Sequence, residues 1–285
     1  MVIDSDAGVR ADKFVAAQYP QFTRSALEAL FDQKLVQING ANAKAAQKVK
    51  PGDQVVVDES LLKTKPPKID LPVIYEDSNV IVLDKPAGVL THSKGALNLE
   101  GTVASFIEPK VKDMQGNRAG IVHRLDRGTS GVIVAAKSHD ALSSLQRQFS
   151  KRKAKKTYLA VVEGKLSPKA AIINAPILRN PAKPQTFKVG AAGKPSITEY
   201  QVIKTFAKNS KEYSLVELKP QTGRTHQLRV HMAYVGHPIV GDHIYGHDGE
   251  HLLLHAKSLE ITLPTSERKV FTADLPASIK EFADV

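Results

Sequence analysis

Apolar and polar positions run along this chain in two rhythms, one helical and one alternating. Near the start, RSALEALFDQ sets Leu27, Leu30 and Phe31 at helical spacing, which predicts an amphipathic helix. LVQING at 35–40 alternates as a strand and ends in an Asn-Gly turn, a hairpin signal. KVKPGDQVVV at 48–57 turns at Pro51-Gly52 and returns as a strand. Residues 1–60 therefore read as a small α+β module, with Arg10, Lys13, Arg24, Lys34, Lys44, Lys48 and Lys50 on its polar face. A stretch at 61–72 follows, in which Pro66, Pro67 and Pro72 restrict themselves and their predecessors, so it reads as an extended linker. From 73 to 285 strands and helices mix without strand–helix alternation. VIYEDSNVIVLDKP makes two strand runs around Asp77-Ser78-Asn79, and Val132–Ala136 is an apolar strand. Residues 139–153 place Leu142, Leu145 and Phe149 on one helical face. TYLAVVEG, TEYQVIKTF and SLVELKP read as strands, the last two flanking a polar Lys-Asn-Ser turn. The pattern predicts an α+β fold with a mostly antiparallel mixed sheet rather than a doubly wound one. It shows no internal repeat.

Composition narrows the class. Lys+Arg number 40 against Asp+Glu 29, a formal net charge of +11, which points to a polyanionic partner such as nucleic acid. The absence of Cys excludes disulfides, cysteine nucleophiles, Cys-ligated zinc and iron–sulfur clusters. MVIDSDAGVRADKF lacks a basic-then-apolar leader, and no apolar run approaches the ~20 residues that cross a bilayer. A cytoplasmic protein without a membrane partner is expected. No Gly-x-Gly-x-x-Gly follows a strand and no phosphate-binding loop is visible, so no nucleotide cofactor is expected. His243, His247, His251 and His255 recur every four residues, but Gly246 and Gly249 interrupt any helix and LLLHA reads as a strand, so no metal is expected.

Four segments carry candidate chemistry. HRLDRGTSGVIVAAKS, 123–138, sets one carboxylate, Asp126, among His123, Arg124 and Arg127, on a turn before a buried strand. In VLDKPAGVLTHS, 82–93, Pro86 and Gly88 make a tight turn that places Lys85 and His92 near one surface. KKTYLAVVEG holds Tyr158, just after RQFSKRKAKK, whose Lys151, Arg152 and Lys153 form a solvated helix end or a phosphate-gripping edge. LKPQTGRTHQLRVHMAYVGHPIVGDHIYG, 218–246, reads as a turn and then a helix, with Thr225 as N-cap and with Arg224, His226 and Arg229 at hand.

Together these segments resemble the RluA-type pseudouridine synthases over about 73–245. TRSALEALFDQKLVQING and KVKPGDQVVV resemble the S-four-type RNA-binding domain, except that Asp32-Gln33-Lys34 stands where a Gly is expected. The resemblance implies a pseudouridine synthase fold, an RNA substrate and no cofactor, and a monomer is expected. It implies that Asp126 is the catalytic carboxylate, that Tyr158 is the active-site Tyr, and that Arg229 pairs with Asp126 through a charge-assisted, bidentate-capable bond. It makes Arg124 an RNA contact at the flipped base. Lys85, His92, Arg127, Lys151, Arg152, Lys153, Arg224, His226, Arg24 and Lys34 are the other expected RNA contacts. Large-subunit ribosomal RNA is the expected substrate, with transfer RNA as the alternative. Asp126 either attacks covalently or takes a ribose proton on a glycal route, and both stay open. Two rivals remain. A nucleosidase needs a second carboxylate, for which only Asp242 is available, and Asp242 reads better as a turn residue. A non-catalytic RNA-binding protein needs only the basic surface.

Overall fold

The computed structural model describes residues 2–93, 99–114 and 118–285. They divide into two compact units. The first holds Met1–Ile69, with His92–Glu108 and Gln115–Ala119 returning to it; the second holds the remainder. The break in the chain falls within the Pro/Lys-rich stretch, and a later segment rejoins the first unit, which local composition does not reveal.

In the first unit, α1 (Ala11–Gln18) and α2 (Arg24–Asp32) pack on β1 (Val36–Ile38), β2 (Ala41–Asn42) and β3 (Val55–Val57), in the strand order β2-β1-β3. Leu27, Leu30, Val15 and Val36 are fully buried at its centre. Thr23 caps α2 by accepting from the Ala26 N–H. The Asn39-Gly40 hairpin forms with both residues at positive φ, as a type I′ turn requires. Lys34 takes φ 59° just after α2, filling with a Lys the left-handed position where the resemblance leads one to expect Gly. α3 (Ser60–Lys63) ends this run, and α4 (Val103–Ile107) opens with a Thr102/Ser105 capping box.

The second unit is built on a nine-stranded sheet. Its strands are β4 (Val73–Glu76), β5 (Val80–Lys85), β6 (Ser130–Ala136), β7 (Lys155–Glu163), β8 (Ala170–Asn174), β11 (Ile197–Lys208), β12 (Lys211–Pro220), β13 (Leu254–Thr262) and β14 (Arg268–Thr272). β9 (Ile177–Arg179) and β10 (Phe187–Val189) form a separate hairpin. The sheet runs β4-β5-β6-β13-β7-β12-β11-β8, with β14 on β13. Among the described residues only β6 and β13 pair in parallel, so the expected mixed, mostly antiparallel α+β architecture holds. Gly131 makes this parallel approach possible, because a Cβ there would run into the Ala256 carbonyl. The run Ser130–Ala136 is buried throughout. It packs under α5 (His139–Ser150), whose Leu145 enters the same core. β11 and β12 close through Asn209 and Ser210, both at positive φ. α6 (Gln227–Tyr234) covers β7 and β12 through Leu228 and Met232, and α7 (Ala277–Ala283) packs Ile279 against Val161 and Leu215. No helix among the described residues is long and apolar enough to cross a membrane.

Candidate active site

Asp126 lies in the loop that feeds β6, and the VLDKPAGVLT stretch pins the backbone on both sides of it. Thr91 Oγ1 donates to the Leu125 carbonyl at 2.8 Å and accepts from the Leu125 N–H at 3.1 Å. The Arg127 carbonyl accepts from the Gly88 N–H at 2.8 Å and from Lys85 Nζ at 3.3 Å. Lys85 Nζ also donates to the carbonyls of Pro86 (2.9 Å) and Val89 (2.8 Å). Lys85 is 0% exposed, and burial pushes its ammonium down to about 8. This corrects the expectation that Lys85 meets RNA: its donors are used inside the protein, to hold the turn and the Asp126 loop together. Hydrogen bonds from a charged donor contribute about 1.5–3 kcal/mol each, so Lys85→Met is expected to destabilise the protein by roughly 2 kcal/mol despite relieving a buried charge. Urea unfolding at pH 7 measures this.

The cation that faces Asp126 comes from far along the chain. Arg229 Nη1 lies 3.6 Å from Asp126 Oδ2, and His226 Nε2 lies 3.9 Å from the same oxygen. The bidentate bond expected between Arg229 and Asp126 forms elsewhere. Arg229 Nε and Nη2 donate to Asp242 Oδ2 and Oδ1 at 2.7 and 2.6 Å, so the fork is taken and only Nη1 is left for Asp126. Asp242 Oδ1 also accepts from the N–H groups of Ile244 and Tyr245. Asp242 is thus both the turn residue expected and the anchor of Arg229, a role the sequence reading missed. Arg229 pulls its carboxyl below the usual range, even though burial alone would raise it. The bases adjacent to Asp126 in sequence do other work. His123 Nε2 accepts from the Val134 N–H, and its ring stacks on Phe149 at 4.6 Å. Burial pushes that imidazole down to about 3, so it is neutral. Arg127 reaches back to the Gly88 carbonyl.

The helix after the TGRTH turn also starts differently from expectation. His226, at φ 55°, occupies the N-cap with no side-chain cap bond, so Thr225 does not cap α6. Gln227 organises the turn instead. Its Oε1 accepts from Thr222 Oγ1 (2.7 Å) and the Arg224 N–H (3.0 Å). Its Nε2 donates to the Ile197 carbonyl and Thr198 Oγ1. A fully satisfied buried amide of this kind rigidifies the segment that delivers His226 and Arg229.

Asp126 opens onto a cavity of about 460 Å³, inside the ~300–1,000 Å³ range of small-ligand sites. Among the described residues Asp126 is the only acid in its lining, against Arg124, Arg152, Lys156, Arg224 and Arg229. Tyr158 lines it from β7, and burial, with the nearby Asp126 charge, raises its phenol, so it stays protonated. Arg124 is exposed at the cavity, and Arg224 is half-buried with Nε on the Pro195 carbonyl. Lys156, two residues before Tyr158, donates to the Thr222 carbonyl at 3.4 Å. Burial pushes it from 10.5 down to about 8. A lysine lowered in the folded state costs stability below its folded value, and that cost fades between about 8 and 10.5 as the unfolded chain also loses its proton. Lys156→Met is therefore expected to raise Tm at pH 7, with the gain shrinking toward pH 10. A gain that stays constant with pH contradicts the assignment.

The remaining expected RNA contacts scatter. Lys151 and Lys153 are exposed just past α5 and do not line the cavity, whereas Arg152 does. Arg24 is exposed at the start of α2, Lys34 is exposed at its end, and His92 is half-buried; all three belong to the first unit. Of the four spaced histidines, His255 lies in β13 bonded to Ser130 Oγ at 2.9 Å, and His247 pairs with Glu163.

Residues 79–234, more than half of the chain, match the RNA pseudouridylate synthase family. The chain belongs to this family. Residues 9–55 match the S4 domain, in agreement with the resemblance at the N-terminus. The protein is an RNA pseudouridine synthase, an isomerase acting on RNA. It is 37% identical over 287 residues to ribosomal large subunit pseudouridine synthase D of Borreliella burgdorferi, covering 94% of this chain and 86% of that relative. It is 33% identical over 294 residues to ribosomal large subunit pseudouridine synthase C of Vibrio cholerae, covering 94% and 90%. The solved structure of human RNA pseudouridylate synthase domain containing 1 is similar at TM-score 0.62 and 29% identity, over 76% of this chain and 89% of that one. The family segment contains Asp126, Tyr158 and Arg229.

Proposed function

We propose that this synthase isomerises uridine in large-subunit ribosomal RNA, with Asp126 as the reacting carboxylate and no cofactor. The observation that carries this reading is the cavity itself: one carboxylate, held beside Arg229 and Tyr158, in a wall otherwise charged only by cations. The bond from uracil N1 to ribose C1′ breaks, the base turns, and C5 bonds to C1′. C5 gives up one proton and N1 gains one, so the product has the substrate's atoms and nothing is consumed. Asp126 starts this either by attacking covalently or by taking a ribose proton. Tyr158, kept protonated, lies under the base and serves a proton transfer through its hydroxyl. A base inside folded RNA must be flipped out, and Arg124 at the mouth fills the vacated space. Arg127, Arg152 and Arg224 hold phosphates nearby, with Lys151 and Lys153 at the rim.

In this reading residues 1–60 are an RNA grip with Arg24 and Lys34 on its surface, 61–72 a linker and 73–285 the catalytic domain. The monomer works in the cytoplasm, away from membranes. The similarity to relatives named for the large subunit supports ribosomal RNA. Those relatives carry two designations, C and D, so the choice of uridine does not follow from the likeness. The test is tritium release from 5-tritiated uridine in large-subunit ribosomal RNA and, in parallel, transfer RNA. Release from ribosomal RNA alone supports the reading, release from transfer RNA alone replaces the substrate, and release from neither removes it.

A further inference from the structure

Two features of the site are left unused by the roles above: His226, expected as an RNA contact but found facing the carboxylate, and Tyr245. Tyr245 Oη accepts a hydrogen bond from the Phe187 N–H on β10 at 3.0 Å and lies 2.8 Å from His226 Nδ1. The phenol's own proton has no other acceptor among the described residues, so it goes to Nδ1. That assignment leaves His226 with its proton on Nε2, the nitrogen 3.9 Å from Asp126 Oδ2. The opposite tautomer would strand the phenol proton and turn a lone pair toward the carboxylate. Burial lowers the imidazole's basicity and favours the neutral ring, although the Asp126 charge acts the other way. The tyrosine ring also lies 5.2 Å from the Arg229 guanidinium, so one side chain braces both partners of Asp126. Both partners approach Oδ2, and Oδ1 has no hydrogen-bond partner among the described residues.

We propose that Tyr245 and His226 form a positioning pair: Tyr245 fixes His226 as its Nε2–H tautomer, and that N–H joins Arg229 at Oδ2 of Asp126, so that Oδ1 is the oxygen presented to the uridine. This rests on Asp126 being the reacting carboxylate. The 3.6 and 3.9 Å separations exceed hydrogen-bond length, and hydrogen bonds to reacting groups are often this long until the substrate complex forms. The hydroxyl bonded to Phe187 makes the β9–β10 hairpin part of the device, because displacing Phe187 would free the phenol and with it the tautomer. In this arrangement both residues act on the rate through Asp126.

The first experiment reads the tautomer without RNA. In a two-bond ¹⁵N–¹H correlation spectrum of the histidine-labelled full chain, the His226 signals are assigned by their loss in His226→Gln. Wild type at pH 7 is expected to show a neutral ring protonated on Nε2, and Tyr245→Phe a mixture of tautomers. A proton on Nδ1, or a charged ring, overturns the proposal whatever RNA the enzyme prefers. The second experiment is single-turnover tritium release with filter-binding affinity. His226→Ala is expected to slow the step by about 10²-fold, the scale of a misplaced reacting group, with RNA affinity unchanged. His226→Gln, whose amide nitrogen can replace Nε2–H, is expected to recover most of that loss. Tyr245→Phe, which keeps the ring against Arg229, is expected to slow wild type but to add nothing in the His226→Ala background. A loss of affinity with the rate intact makes His226 a phosphate contact, and additive effects of the two changes break the link between them; either overturns the proposal. If wild type itself releases no tritium from either RNA, the substrate reading fails and the tautomer measurement still decides this one.

Discussion

Asp126→Asn is expected to abolish tritium release, with a fall in single-turnover rate on the order of 10⁴-fold or more, as when other enzymes lose their nucleophile or base. Asn is nearly the same size and keeps an oxygen where Oδ2 stands, so the loss would come from chemistry and not from packing. The rest of the site stays in place, because Arg229 is held by Asp242 at 2.6 and 2.7 Å independently of Asp126. The loop stays too, because Thr91 and Lys85 bind the backbone at Leu125 and Arg127 and make no use of the Asp126 side chain. RNA affinity is expected to hold or rise slightly, since the change deletes an acid from a lining in which the other charged residues, among those described, are five cations. Filter binding at two salt concentrations beside the tritium assay separates the cases. Retained turnover would remove Asp126 from the chemistry, and a parallel loss of affinity would make it a structural residue. The covalent and glycal routes both predict this result.

Much of this architecture was legible because it is local. The apolar run after Thr129 became β6, the Leu and Phe spacing after Ser138 became α5, and Asn39-Gly40 became the hairpin it advertised. The motif residues Asp126, Tyr158 and Arg229 were legible as a set through the family resemblance, and they converge on one cavity. Missing from the sequence reading was the wiring among them, which depends on partners distant along the chain. A lysine in a polar turn reads as exposed, yet Lys85 is enclosed because three carbonyls of two loops converge on its ammonium. His226 reads as an RNA contact until a left-handed N-cap turns its ring toward Asp126. Thr225 has the chemistry of an N-cap, but the helix starts one residue later, and Gln227 organises the turn with its side chain. Asp242 reads as a turn residue, and its bond to Arg229 stays hidden because a GD turn gives no sign of which cation it faces. A basic run such as Lys151-Arg152-Lys153 reads as one patch, whereas the end of α5 sends only Arg152 to the cavity wall.

Asp242→Ala is expected to cost about 3–5 kcal/mol of stability, the scale for breaking a buried ion pair from one side, and to remove activity as well. Asp242 is 0% exposed and Arg229 only 5%, so deletion of the carboxylate leaves a largely buried guanidinium without its bidentate partner. The nearest remaining anion is Asp126, 3.6 Å from Nη1. Arg229 would turn its fork to that carboxylate and engage both oxygens, including the one proposed to meet the uridine. The two effects can be separated. Arg229→Leu added to Asp242→Ala removes the stranded charge, and the double variant is expected to regain part of the lost stability while activity stays absent. A carboxyl held below its usual range stabilises the fold above the unfolded value of about 3.8, and that contribution is lost as pH falls through the folded value. The Tm difference between wild type and Asp242→Ala is therefore expected to be widest near neutral pH, at roughly 10 °C, and to narrow in acid below pH 4. A difference that is flat across that range, or a double variant no more stable than Asp242→Ala, would mean that Asp242 serves the fold through its turn hydrogen bonds to Ile244 and Tyr245 and not through Arg229.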